Sequence, residues 1–120
     1  MVRTVSIKEN RDFSYLYRRG TFISSDCLIL YFRKNRFQVN RLGITVSKKV
    51  GNAVVRNKVR RRIKEYYRKI EGRLPASYDF VIVARNSAKD ADFKKISSAF
   101  EFLLRKSGLL NYEKNTYPGS

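Results

Sequence analysis

The sequence predicts a single-domain α+β fold, an α/β sandwich in which three helices pack on a small mixed sheet in the order α-β-β-β-α-β-α. Three observations carry this. The chain has 120 residues, the size of one domain. Hydrophobic residues make up 42% of it, with eight Phe and eight Tyr, which is enough to fill one core. Helical and strand periodicities alternate along the chain between turn residues. Residues 1–110 are the expected domain, and residues 111–120, polar and carrying Pro118 and Gly119, an expected flexible C-terminal tail.

The elements follow in order. Ser6 to Gly20, SIKENRDFSYLYRRG, offers a capping box with Ser6 as N-cap, Glu9 three residues on, and Gly20 as the stop. Phe13, Leu16 and Tyr17 then share one helical face. A short strand is expected near Thr21 to Ile23, and a longer one over Cys27 to Phe32, a run too short for a helix and rich in strand formers. The polar segment Lys34 to Asn40 marks a turn, and Leu42 to Ser47 alternates into a strand that would form a hairpin with its predecessor. Asn52 is placed to cap the longest helix, from about Ala53 to Glu71, which Gly72 and Pro75 end. Tyr78 to Arg85 has the continuous apolar centre of a strand buried on both faces, so it belongs in the middle of the sheet. The last helix opens near Asp90, carries Phe93, Ile96, Phe100 and Leu103 at helical spacing, and closes near Gly108.

Charge points to the partner. Twenty-seven Lys and Arg against ten Asp and Glu give a net +17, self-repulsive in a compact body unless a polyanion balances it. No apolar run approaches the ~20 residues needed to span a bilayer. Nothing after Met1-Val2-Arg3 has the apolar stretch of a secretory signal, so a cytoplasmic location is expected. The single cysteine, Cys27, cannot form an internal disulfide. With no histidine, the chain lacks the usual general base, the usual zinc ligand and any Ser-His or Cys-His pair, so conventional hydrolase chemistry is not expected, and a carboxylate-bound Mg²⁺ site stays open in principle. The acids are scattered; Asp90 and Asp92, the one close pair, read as a helix start and leave any metal site unassigned.

The segment Arg56 to Lys69, RNKVRRRIKEYYRK, holds eight Lys or Arg against Glu65 alone. At ~100° per residue Val55, Val59, Ile63, Tyr66 and Ile70 fall on one arc that can seat on the sheet. Asn57, Arg61, Lys64 and Arg68 lie opposite. Arg56 and Arg60 beside Tyr67 form one flank, and Lys58, Arg62 and Lys69 the other. A solvated helix would intersperse acids to make i, i+4 pairs, so their absence implies an external anion. Arginine favours RNA, because a guanidinium forks onto phosphate and stacks on bases. The narrow apolar arc leaves no side for a membrane. A DNA-reading helix-turn-helix is a poor match, and no ribonucleoprotein strand signature or GxxG loop is present.

At this point the residues resemble a known family. SKKVGNAVVRNKVRRRIKEYYR, Ser47 to Arg68, is similar to the signature of the bacterial ribonuclease P protein subunit. Asp12-Phe13 with Tyr17 and Arg19-Gly20-Thr21, then Leu30-Tyr31, then Asp79 to Arg85 agree in order and spacing, so the resemblance covers residues 6 to 107. It implies a left-handed βαβ crossover around the basic helix, where general rules favour the opposite hand. It also implies a holoenzyme whose catalytic RNA, not this chain, removes the 5′ leader of precursor tRNA with Mg²⁺, so the isolated chain should be inactive and hold no tightly bound cofactor.

Residue by residue, the family's Arg-Asn-Arg motif falls on Arg56, Asn57 and Lys58, with Arg60, Arg61, Lys64 and Arg68 continuing toward ribonuclease P RNA. Lys58 keeps the charge of the family's Arg and drops its fork. The family's leader cleft, expected between the basic helix and the sheet, would be lined by Phe13, Tyr17 and Tyr31, with Lys48, Lys49, Arg85 and Lys89 adding phosphate contacts. Tyr17 stands where Phe is commoner and retains a ring face. The implied partners are the catalytic RNA and precursor tRNA, with neither DNA nor membrane. The alternative is a ribosomal-type RNA-binding protein or RNA chaperone, equally small and basic, which dependence on the leader would separate.

Overall fold

Seven residues, Tyr78–Ala84, five of them buried, form the strand around which the rest is built. The computed structural model describes residues 4–110, so the expected tail lies outside the described residues. In chain order the elements are β1 (Thr4–Ser6), α1 (Asn10–Arg19), β2 (Thr21–Ser24), β3 (Leu28–Lys34), β4 (Asn40–Thr45), α2 (Ala53–Ile70), β5 (Tyr78–Ala84) and α3 (Phe93–Lys106), with 3₁₀ turns at Glu71–Arg73 and Asn86–Asp90. The α+β class and the three helices are as predicted.

The mixed sheet is ordered β1-β4-β5-β3-β2. The central β5 runs parallel to β4, with Gly43 opposite Val81, and antiparallel to β3, with Tyr31 opposite the same Val81. The β3–β4 hairpin expected from sequence therefore does not form. The apolar β5 takes the paired edge of both strands, and α2 is the crossover from β4 to β5. The hairpin that does form joins β2 to β3, with Phe22 opposite Tyr31.

The capping box is also corrected. Ser6 ends β1, which lies parallel to β4, and Ile7 N–H donates to the Leu42 carbonyl at 2.9 Å, so the sheet uses this backbone instead of a helix. The first helix starts three residues later, with Glu9 at the N-cap making no side-chain cap bond. A three-residue strand has too few positions to show a period, which is why the predicted order omits β1. Small shifts affect other boundaries: β3 extends to Lys34, β4 spans Asn40–Thr45 and not Leu42 to Ser47, and Asp92, not Asp90, caps the last helix by accepting from Lys95 N–H. Asn52 caps α2 as predicted, accepting from Val55 N–H at 3.0 Å.

Strand alternation splits the core. Leu28, Leu30, Phe80 and Ile82 face α2 and α3 in the large cluster, which takes Val59, Ile63, Tyr66, Tyr67 and Ile70 from α2. The opposite sheet face carries a small cluster of Ile7, Leu16 and Val81 under α1, with Phe13, Tyr31 and Val83 packed against it. One helix cannot cover a five-stranded face, so part of it stays open.

Candidate nucleic-acid interface

Two surfaces emerge on opposite faces of the sheet. The first is the outer side of α2. Burial of Val59, Ile63, Tyr66 and Ile70 against the sheet turns Asn57, Arg61, Lys64 and Arg68 outward, as the wheel predicts. These four, with Arg60 and Glu65, line an open depression of about 620 Å³. Asn57 Oδ1 accepts from Arg60 Nη1 at 3.2 Å, which orients that guanidinium along the groove. Lys58 is exposed and Arg56 half-buried; neither lines this depression. Tyr67, assigned to a flank by the wheel, is buried, because β1 covers that side and Thr4 Oγ1 meets its hydroxyl at 2.7 Å. On the other flank Arg62 Nη1 donates to the Ala91 carbonyl at 2.8 Å, and Lys69 Nζ lies 5.0 Å from the Phe93 ring centroid. Those two cations hold the helix to the body of the protein.

The second surface is the open part of the sheet beside α1. Tyr17 stands edge-on to Tyr31 with centroids 4.9 Å apart, Phe13 lies 6.4 Å from Tyr17, and Phe22 completes the row 5.5 Å from Tyr31. Tyr17 is 39% exposed and Phe22 63%, so the rings present area to solvent. The Tyr17 hydroxyl and Thr45 Oγ1 are 2.9 Å apart, which fixes the ring over β4. The rings that the resemblance expects between the basic helix and the sheet do not lie there: that space is filled core, and they occupy the face on the other side. Sequence reasoning missed Phe22, although the β2–β3 hairpin register places it directly opposite Tyr31.

The four other cations expected at the site, Lys48, Lys49, Arg85 and Lys89, lie toward one end of the sheet. Parallel β4 and β5 end together, and Lys48 and Lys49 lie exposed in the turn after β4 while Arg85 and Lys89 follow β5. Arg85 is partly engaged, its Nη1 donating to the Ser25 carbonyl at 3.0 Å. The loop bearing Lys48 and Lys49 leads into α2, so both surfaces meet at this end.

Among the described residues no three His, Cys, Asp or Glu side chains converge on a possible metal position. Cys27 is buried, and that burial pushes its thiol above the ordinary range. Among the described residues no helix is long and apolar enough to cross a membrane.

The fold and its surfaces define a small basic binding protein, with cations on one sheet face and open aromatic rings on the other, suited to a polyanionic partner. Comparison with known proteins gives the family. The ribonuclease P family model matches residues 1–108, and the chain belongs to the ribonuclease P protein family, the protein component of that endoribonuclease holoenzyme. The ribonuclease P protein component of Clostridium botulinum (strain 657 / Type Ba4) is 51% identical over 106 residues, 88% of this chain and 96% of that one. Its counterpart in Alkaliphilus metalliredigens is 44% identical over 105 residues, 88% and 95% of the two chains. The structure of the Staphylococcus aureus protein superposes with a TM-score of 0.82 at 34% identity, covering 88% of this chain and 97% of that one. That of Thermotoga maritima gives 0.76 at 30%, covering 84% and 96%.

Proposed function

We propose that the chain binds the catalytic RNA of ribonuclease P through the outer face of α2 and holds the single-stranded 5′ leader of precursor tRNA on the Phe13–Tyr17–Tyr31 row, assisting removal of the leader. The observation that carries this reading is the separation of the surfaces. Two RNAs can be engaged at once because the arginines of α2 and the aromatic row lie on opposite faces of the sheet. Asn57, Arg60, Arg61, Lys64 and Arg68 supply the groove for the first RNA, with Arg56 and Lys58 extending it toward the start of the helix. Exposed rings stack on any base, worth ~1–3 kcal/mol per base, which suits leaders of varied sequence. Lys48, Lys49, Arg85 and Lys89 would take leader phosphates where the two surfaces meet. The protein contributes affinity and placement. The Mg²⁺-dependent chemistry belongs to the RNA in this reading, and the assembly works in the cytoplasm.

The test is affinity of the reconstituted RNA–protein complex for precursor and mature tRNA. The chain should tighten binding of the precursor alone, and Tyr17→Ala should remove most of that preference. Equal tightening of both tRNAs would support an RNA chaperone instead. Specific 5′ cleavage by the purified chain without RNA would refute the division of labour.

A further inference from the structure

The flank of α1 turned away from Phe13 and Tyr17 carries a second exposed ring. Tyr15 is 43% exposed, and two guanidiniums converge on it, with Arg33 Cζ 5.5 Å and Arg18 Cζ 6.0 Å from the ring centroid. Among the described residues neither arginine is paired with a carboxylate. Arg33 also donates from Nη1 to the Arg19 carbonyl at 3.1 Å, which holds it beside the end of α1. Like charges brought together on one ring with no anion between them repel, and a bound anion would relieve that. Such cations over an exposed ring form a place for a nucleotide, with the base stacking and the phosphate forked by guanidinium.

Position connects this spot to the aromatic row. Leu16 is the buried side of α1, and at ~100° per residue Tyr17, Arg18 and Tyr15 succeed one another around the exposed side. In strand register Arg33 lies opposite residue 79 at the start of β5, whereas Arg85 follows its end, so the spot lies toward the opposite end of the sheet from the Lys48–Arg85 cations. A strand entering at those lysines, crossing Tyr31 and Tyr17 and continuing over the last turn of α1, would meet Arg18 and then Tyr15.

We propose that Tyr15, Arg18 and Arg33 form a distal leader subsite, taking a nucleotide farther from the cleavage point than those on the Phe13–Tyr17–Tyr31 row. This rests on the reading of that row as the leader site. The test measures the affinity of the holoenzyme for precursor tRNAs whose leaders lengthen one nucleotide at a time. Tyr15→Ala should weaken binding about five- to tenfold, and only beyond a threshold length. Arg18→Ala should share that threshold, and Tyr15→Phe, which keeps the ring, should bind as the parent does. Tyr17→Ala should act from shorter leaders onward. If Tyr15→Ala changes nothing at any length, or weakens mature tRNA equally, the subsite is wrong. A Tyr17→Ala variant indifferent to the leader, beside a Tyr15→Ala variant with a length threshold, would refute the row and leave the subsite standing.

Discussion

Phe13 packs directly on Gly43: a Cβ placed on the glycine would stand 2.5 Å from the ring's Cε1 and 2.7 Å from Cζ. The missing side chain on β4 is what lets α1 settle low enough for Phe13 to join Tyr17 and Tyr31. Gly43→Ala should lift that ring, destabilising the fold by ~1–3 kcal/mol through overpacking. It should also reduce the preference for precursor over mature tRNA, while binding of the catalytic RNA is kept. A variant with intact leader preference would show that the row tolerates displacement of Phe13. The check is denaturant melting beside tRNA binding.

The arginines of α2 differ in what they hold, although their sequence context is alike. Arg61 is exposed in the outer groove, so Arg61→Ala should leave stability within about 0.5 kcal/mol and reduce the salt dependence of RNA binding by about one counterion. Arg62 donates to the Ala91 carbonyl, so Arg62→Ala should lower stability by ~1–2 kcal/mol and change the salt slope less. Equal slopes for the two variants would overturn the assignment of Arg61 to the RNA-facing side.

This contrast marks what the sequence could convey. The period of α2 told outward from inward residues, because one arc was apolar and the rest charged; Val59, Ile63 and Ile70 are buried as that requires. It could not tell which charged flank is occupied, since Ala91 lies 29 residues from Arg62 and reaches it only through the tertiary fold. The same limit applies to the sheet. Strand formers in β3, β4 and β5 were legible locally, but the insertion of β5 between the other two is a long-range pairing, and adjacency in sequence favoured a hairpin. The aromatic members Phe13, Tyr17 and Tyr31 came from family resemblance, and the structure brings them into one row. Their face, and the addition of Phe22, required the register.

Beside that row, Arg41 clamps the entry of β5. Its Nε and Nη2 donate to the two oxygens of Asp79 at 2.9 and 2.7 Å, and its Nη1 lies 3.5 Å from Asp12 of α1. Asn35 Nδ2 adds a donor to Asp79 at 2.8 Å. Removing the guanidinium would leave the buried Asp79 with one neutral partner. Arg41→Ala should therefore cost ~3–5 kcal/mol, and Arg41→Lys should recover only part because the ammonium cannot fork. Urea melts of the two variants measure this; a loss below ~1 kcal/mol for Arg41→Ala would mean that the clamp is dispensable.

Alkaline pH should unfold the protein through α2. Burial is the main cause that raises both Tyr66 and Tyr67 from the ordinary 10.0 to about 12, with Glu101 adding to the first and the Thr4 hydroxyl partly opposing the rise in the second. The neutral phenol is the form that the core accepts. Stability from this source is complete below pH 10, where the unfolded chain would begin to ionise, and is lost as pH rises through about 12. Each tyrosine accounts for ~2–3 kcal/mol over that window. The decline should therefore begin above pH 10 and steepen toward 12. Tyrosinate absorbance followed together with circular dichroism provides the measurement. The tyrosinate signal of Tyr66 and Tyr67 should appear only as helicity is lost. Tyr66→Phe should delay that final step, since the substitution also removes a buried hydroxyl that has no hydrogen-bond partner among the described residues. If Tyr66 and Tyr67 ionised in a protein still folded, their burial against α3 and β1 would be refuted.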